Sequence, residues 1–199
     1  GTEILASEAF YKADNLKEIV FSNSLITIKS KAIQSCYMLR DVVIPDSVQT
    51  IEENAFYNCT SLKEVVLPNN VTTIGQYAFR YCNNLESFTV DSGNIGGYKS
   101  DNGILFKNTE IVHYPAQKKD VIKYYMPIET TVIHSYAFYK NEYIQFIITS
   151  DKIESIGSNA FEECSMLYEF YYLSTNQLTD QEQFKSTNLQ KVKRKEAIK

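Results

Sequence analysis

Along most of the chain, apolar side chains return every 23 residues. The pair Ala55-Phe56 marks the phase. It follows Ile51 closely, and the same arrangement recurs at Leu5…Ala9-Phe10, Ile28…Ala32-Ile33, Ile74…Ala78-Phe79, Ile133…Ala137-Phe138 and Ile156…Ala160-Phe161. Beyond Ala55, further apolar positions stand at Cys59, Leu62, Val65, Leu67, Val71 and Ile74. In "LKEVVLP" the alternation predicts a strand with Val65 and Leu67 inward and Glu64 and Val66 outward, ended by Pro68, which has no N–H to give a ladder. "NNVTTIG" reads as a turn and a short second strand, and "QYAFRYC" as one helical turn that tucks Ala, Phe and Cys under the sheet.

A single unit of this kind buries too few apolar side chains to offset the entropy of ordering it, so neighbouring units must share an interior. A period of 20–29 residues carrying Leu-x-x-Val-x-Leu predicts a leucine-rich repeat solenoid. The expected fold is therefore an α/β right-handed solenoid of about six 23-residue coils. Its parallel sheet would lie on the concave face, with short helices or turns on the convex side. Residues 1–173 form the solenoid in this reading, and 174–199 a C-terminal cap.

The period breaks once: Ile133 follows Ile74 by 59 residues, 36 more than one period, and the insertion is read over residues 91–121. Within it "GILF" and "IVHYP" read as a hairpin. "SGNIGGYKSDNG" reads as the most mobile stretch, and "IKYYMP" as a resumed strand with Tyr124 and Met126 inward. After Leu173 the pattern stops. Thr179 and Glu182 stand at capping-box spacing, which predicts a short helix over 180–185 and a last strand over 189–193. The chain starts inside a repeat without a polar cap, as a piece of a longer protein would.

The unit C-x-x-L-x-x-V-x-L-P-x-x-V-x-x-I-x-x-x-A-F-x-x-C, complete from Cys59 to Cys82, resembles the BspA-like class of bacterial leucine-rich repeats, and the resemblance spans Leu5 to Leu173. It implies a secreted or surface-displayed protein of a host-associated microbe that acts as an adhesin toward host extracellular proteins or other microbes.

Composition narrows the rest. A net charge of -4 and a pI near 5.3 argue against nucleic acid or an anionic membrane as the main partner. The one basic run, Lys191 to Lys195, reads as a solvated end. No apolar stretch is long enough to span a bilayer, and the first residues lack the n-region and apolar core of a signal peptide.

Cys36, Cys59, Cys82 and Cys164 share one repeat position, taken by Ala13 and Asn141 elsewhere. They read as buried free thiols filling space, not as a metal site or disulfides. His113 and His134 stand in no catalytic spacing, and no glycine loop of a nucleotide site or alternating oxygen set of a calcium loop appears. The reading is non-enzymatic, with no catalytic, cofactor-binding or metal residues. Asn58-Cys-Thr and Asn70-Val-Thr are glycosylation sequons by letter, at positions the repeat uses for turns.

The outward positions of the main strands carry the candidate site. One column runs Val20, Val43, Val66, Thr89, Tyr125, Ile148 and Tyr171, and its neighbour runs Glu18, Asp41, Glu64, Ser87, Lys123, Phe146 and Glu169. Exposed apolar stripes mark contact surfaces, although β-propensity also favours these residue types. The candidate partner-binding residues are Tyr125, Phe146, Ile148, Tyr171, Glu64 and Val66, facing a protein ligand. A carbohydrate stacked on Tyr125 and Tyr171 is the alternative, and a rigid spacer within a larger surface protein is a third.

Overall fold

In the computed structural model, which describes residues 1–174, 181–184, 187, 189 and 191–194, the apolar columns that include Val65 and Ile74 become ladders of parallel strands. The chain divides into two units, Gly1–Asn108 and Thr109–Lys199. In the N-terminal unit a short ladder joins Ile4–Leu5, Thr27–Ile28, Thr50–Ile51 and Thr73–Ile74, with Ile28, Ile51 and Ile74 in register. A longer ladder joins Asp41–Val43, Glu64–Leu67 and Ser87–Val90. Val65, Leu67, Leu62, Val71, Phe56 and Cys59 are fully buried beneath it.

The expected strand at Glu18–Val20 does not form. Lys17 accepts one hydrogen bond from Arg40 N–H at 3.4 Å, but Ile19 is only half buried and the ladder goes no further, which leaves Val20 95% exposed. A strand without a packed inner face has nothing to fix its pleat.

Over residues 1–174 the layer opposite the long ladders is built of turns, with no helical turn. Ala55, Tyr57 and Cys59 close local turns onto Glu52, Asn54 and Phe56. The N–H groups between them, of Asn54, Phe56 and Asn58, donate across to Gln76, Ala78 and Arg80 of the next coil. A helix needs those N–H groups for its own i→i−4 bonds, and here the neighbouring coil takes them. The alternation forces Asn54 and Asn58 to φ 57° and 63°, and the same two positions are left-handed at Tyr77 and Tyr81 and at Tyr136 and Lys140. Asn tolerates that region better than most residues.

The glycine-rich insertion is ordered rather than open. Asn94 donates to the carbonyls of Pro68 and Val71 and accepts from the N–H groups of Gly96 and Tyr98. Tyr98–Asp101 then pairs antiparallel with Ile104–Lys107. Asn102 and Gly103 join them at φ 49° and 77°. Two positive φ values at Asn-Gly make the type I′ turn whose twist suits a two-residue hairpin. This hairpin covers strand edges of its own unit. Tyr98 Oη accepts from Ile74 N–H at 2.9 Å, and Phe88 N–H donates to Gly103 at 2.9 Å.

In the C-terminal unit the short ladder is Glu110–His113, Val132–Ile133 and Ser155–Ile156. The long ladder is Lys123–Tyr125, Phe146–Ile148, Glu169–Tyr172 and Lys191–Arg194. Tyr124 and Met126 point inward as expected, at 8% and 7% exposure. The insertion also conceals a coil. Ile111 is in register with Ile133, and Tyr114 N–H donates to Ala137 just as Phe138 N–H donates to Ala160, so Tyr114 holds the ring position of its coil. Its ring stacks on Phe138 at 4.6 Å.

The ring column also continues beyond Leu173. Phe161 N–H donates to Gln183, and Phe184 stacks on Phe161 at 5.3 Å. Of the helix expected over 180–185, Gln181–Phe184 is a 3₁₀ turn. The last strand is Lys191–Arg194, starting two positions and ending one position later than expected. Thr179 lies outside the described residues. Among the described residues no helix is long and apolar enough to cross a membrane.

Candidate functional site

The register of the C-terminal long ladder sets the site. Tyr125 lies beside Ile148 and Ile148 beside Tyr171; Lys123 lies beside Phe146 and Phe146 beside Glu169. Strand pleating sends all six away from the core, while Tyr124, Ile147 and Phe170 between them are buried. Adjacent strands stand about 4.8 Å apart, so rings from neighbouring coils meet. The Phe146 ring lies 6.1 Å from that of Tyr125 and 5.1 Å from that of Tyr171, tilted at 54° and 42°. Three aromatic rings thus form a continuous row, with Ile148 beside it. Tyr125 is 63% exposed, and Phe146, Ile148 and Tyr171 are half buried.

Polar groups fix one end of this row. Tyr171 Oη donates to Glu169 Oε2 at 2.8 Å. That bond holds the phenol proton and raises the Tyr171 pKa above its ordinary value, with desolvation and the carboxylate's charge acting the same way. The ring is thereby a fixed, neutral, amphipathic surface. Such rings carry much of the energy in protein interfaces because they lose little conformational freedom on contact.

The other two candidates, Glu64 and Val66, belong to the sheet of the N-terminal unit. There Val43 and Val66 are 76% and 45% exposed beside Thr89. Asp41 and Glu64 stand in register on adjacent strands, with no ion pair for either among the described residues. This face is aliphatic and acidic, and no ring lies on it. Sequence reasoning stopped at the strand ends and so missed Ile128 and Leu173 of the C-terminal unit. The available sign was Ile128 directly after Pro127, an apolar residue past the point where the strand should stop.

The remaining chemical candidates settle into structural roles. Cys59, Cys82 and Cys164 each donate Sγ–H to the carbonyl of the ring position one coil back, Ile33, Phe56 and Phe138. All four cysteines are free and buried. Burial pushes every one of these thiols up, Cys82 to about 12, so none supplies a thiolate nucleophile at neutral pH. The thiols are more than fillers, since each satisfies a backbone acceptor. Asn141 does the same work with an amide, donating to Pro115 at 3.0 Å and accepting from Tyr143 and Ile144 N–H.

His134 Nε2 meets Glu110 Oε2 at 2.7 Å on the surface. Burial lowers His113 to a pKa of about 4. In the two sequons, Asn58 holds a left-handed turn and donates to Ser35 Oγ, and Asn70 donates to the Asp46 carbonyl.

Six copies of the BspA-type leucine-rich repeat region match the chain over residues 1–99 and 116–199, leaving out only the stretch that holds the hairpin's second strand and the start of the concealed coil. The chain belongs to the BspA-type leucine-rich repeat family. Among solved structures of this kind, a leucine-rich cell surface protein from Faecalibacterium prausnitzii is 29% identical with a TM-score of 0.77, over 84% of this chain and 44% of that one. The pneumococcal vaccine antigen PcpA is 32% identical with a TM-score of 0.71, over 74% of this chain and 37% of its own. A leucine-rich repeat protein of T. pallidum, at 23% identity and a TM-score of 0.50, shares the fold. The chain therefore spans less than half the length of the first two relatives. No curated protein matches it.

Proposed function

We propose that this chain is a non-catalytic, protein-binding part of a secreted or cell-surface protein, with the aromatic row of the C-terminal long ladder as its contact face. One observation carries the reading: Tyr125, Phe146 and Tyr171 touch in sequence across three strands and keep their outer sides open to solvent. A β-strand needs no such row for its own stability, and a contiguous exposed aromatic surface is what interface cores are made of. Ile148 extends the surface, while Glu64 and Val66 offer a weaker, aliphatic one on the N-terminal unit. Residues 174–199 serve as the cap of the shared core. Kinship with a bacterial leucine-rich cell surface protein and a pneumococcal vaccine antigen supports an extracellular setting, in which a host protein is the partner proposed.

The exposed Tyr125 ring also favours a second reading, in which sugar rings stack on Tyr125 and Tyr171. One pair of variants separates the two. Tyr125→Ala with Tyr171→Ala should abolish capture of extracellular matrix and plasma proteins on an array, by ten-fold or more since hot-spot rings are worth about 2 kcal/mol each. Loss confined to a glycan array selects the carbohydrate reading. Binding unchanged on both arrays makes the chain a spacer and overturns the assignment.

A further inference from the structure

Beside the aromatic row, where the strands of the C-terminal long ladder end, lies a groove of about 260 Å³. Its walls are Tyr125, Ile128, Ile148 and Leu173, with Ile128 69% exposed. Sites that enclose a whole small ligand hold about 300–1,000 Å³. This groove is smaller and open, sized for one or two side chains of something larger.

The polar groups of its floor are already committed. Thr149 Oγ1 donates to the Ser150 carbonyl at 2.9 Å and accepts from Leu173 N–H at 3.1 Å. Ser150 Oγ donates to the Thr130 carbonyl and accepts from Lys152 N–H. Each hydroxyl has given its only proton to a carbonyl and donates nothing to an incoming group, so the apolar walls favour an apolar side chain over a polar one that would have to shed its water. At the rim stands Asp151, exposed and without an ion pair among the described residues. The nearest lysine in sequence, Lys152, is already paired with Glu129 at 2.6 Å.

We propose that this groove is the specificity pocket of the contact face and takes an apolar side chain of a protein partner followed directly by a lysine or arginine, whose charge meets Asp151. The inference rests on the protein-binding reading above and names the partner's chemistry. Charge complementarity decides the occupant. A sugar would find no hydroxyl proton free on the floor, and an acidic segment would meet the Asp151 carboxylate.

The test uses the full chain with methyl-labelled isoleucine, titrated with two synthetic peptides, acetyl-Phe-Lys-Gly-Gly-amide and acetyl-Phe-Glu-Gly-Gly-amide. The Phe-Lys peptide should shift the Ile128 and Ile148 methyl resonances at millimolar concentration. The Phe-Glu peptide should bind roughly three-fold more weakly, the scale of one solvent-exposed charge pair, and Asp151→Asn should erase that difference without altering the rest of the spectrum. Ile128→Asp should remove both interactions. Equal shifts with the two peptides, or shifts that miss Ile128 and Ile148, overturn the proposal. If the Tyr125 and Tyr171 variants still lose partner binding in that event, the contact face stands and only its pocket is refuted.

Discussion

The two units wind the same 23-residue template, yet they spend their outward positions differently. On the N-terminal long ladder the columns are Val43, Val66, Thr89 and Asp41, Glu64, Ser87; on the C-terminal one they are Tyr125, Ile148, Tyr171 and Lys123, Phe146, Glu169. The inner positions diverge in parallel. Phe56 stacks on Phe79 at 5.3 Å in the first unit, whereas Phe138 in the second touches Tyr114, Tyr124 and Phe161 at once. A repeat scaffold fixes only the apolar character of its inner columns and leaves the outer ones free. The difference between the faces is therefore chemistry that folding does not demand, and this is why the aromatic face is the better candidate for use.

The ring column gives the largest expected effect. Phe56 and Phe138 are both fully buried, and truncating either to alanine should cost about 3–5 kcal/mol through lost transfer energy and an unfilled cavity. Phe138→Ala belongs at the upper end, because each aromatic contact adds about 0.5–1.5 kcal/mol beyond area. Denaturant midpoints of the two variants measured side by side check the ranking. Equal losses would mean that the denser aromatic packing of the C-terminal unit adds nothing to its stability.

The next contrast is the polar column beneath the rings. Asn141→Ala removes the donor to Pro115 and the acceptor for two backbone N–H groups inside the core, so it should cost about 2–3 kcal/mol, the penalty for stranding buried polar groups. Cys59→Ala removes one weak donor and a small apolar volume and should cost about 1 kcal/mol. The native protein should also resist thiol reagents, since all four sulfurs are buried. Rapid labelling of Cys59 or Cys82 without unfolding would contradict the packing.

These columns also show how far letters alone could reach. Spacing was enough to place Val65 and Leu67 inside and Tyr125 and Tyr171 outside, because pleat and register follow directly from an alternating pattern repeated in phase. It could not find the coil at Ile111 to Tyr114. There the Ala-Phe pair is replaced by His113-Tyr114, and two residues are missing between the isoleucine and the ring. It also could not choose turns over a helix at Asn54–Asn58, because the destination of each N–H depends on a neighbouring coil 23 residues away. The hairpin was a different case. Asn102-Gly103 is a strong local signal for a tight turn, but it lies inside a stretch whose glycines read as mobility. The groove at Ile128 and Leu173 is assembled from strand ends, where periodicity carries no information.

The concealed coil supplies the sharpest test. His113 stands directly before the buried ring of Tyr114, where Ala55 stands before Phe56. Desolvation lowers its pKa from the ordinary 6.5 to about 4, so the folded chain holds it neutral while the unfolded chain protonates it. Between those two values the unfolded state binds more protons, and stability must fall as pH falls through that window. The full shift would correspond to about 3 kcal/mol, and partial solvent access to a half-buried ring reduces this to roughly 1–2 kcal/mol. His113→Ala restores the residue the other coils use and removes the titration. The stability of wild type relative to the variant should therefore be constant above pH 6.5 and drop by that amount on going to pH 4. Because the surface pair of His134 and Glu110 is present in both proteins, its own titration cancels in the comparison. Parallel curves over the whole range would show that His113 keeps its water when the chain folds, and that the concealed coil does not close over it as Ala55 is closed over in the N-terminal unit.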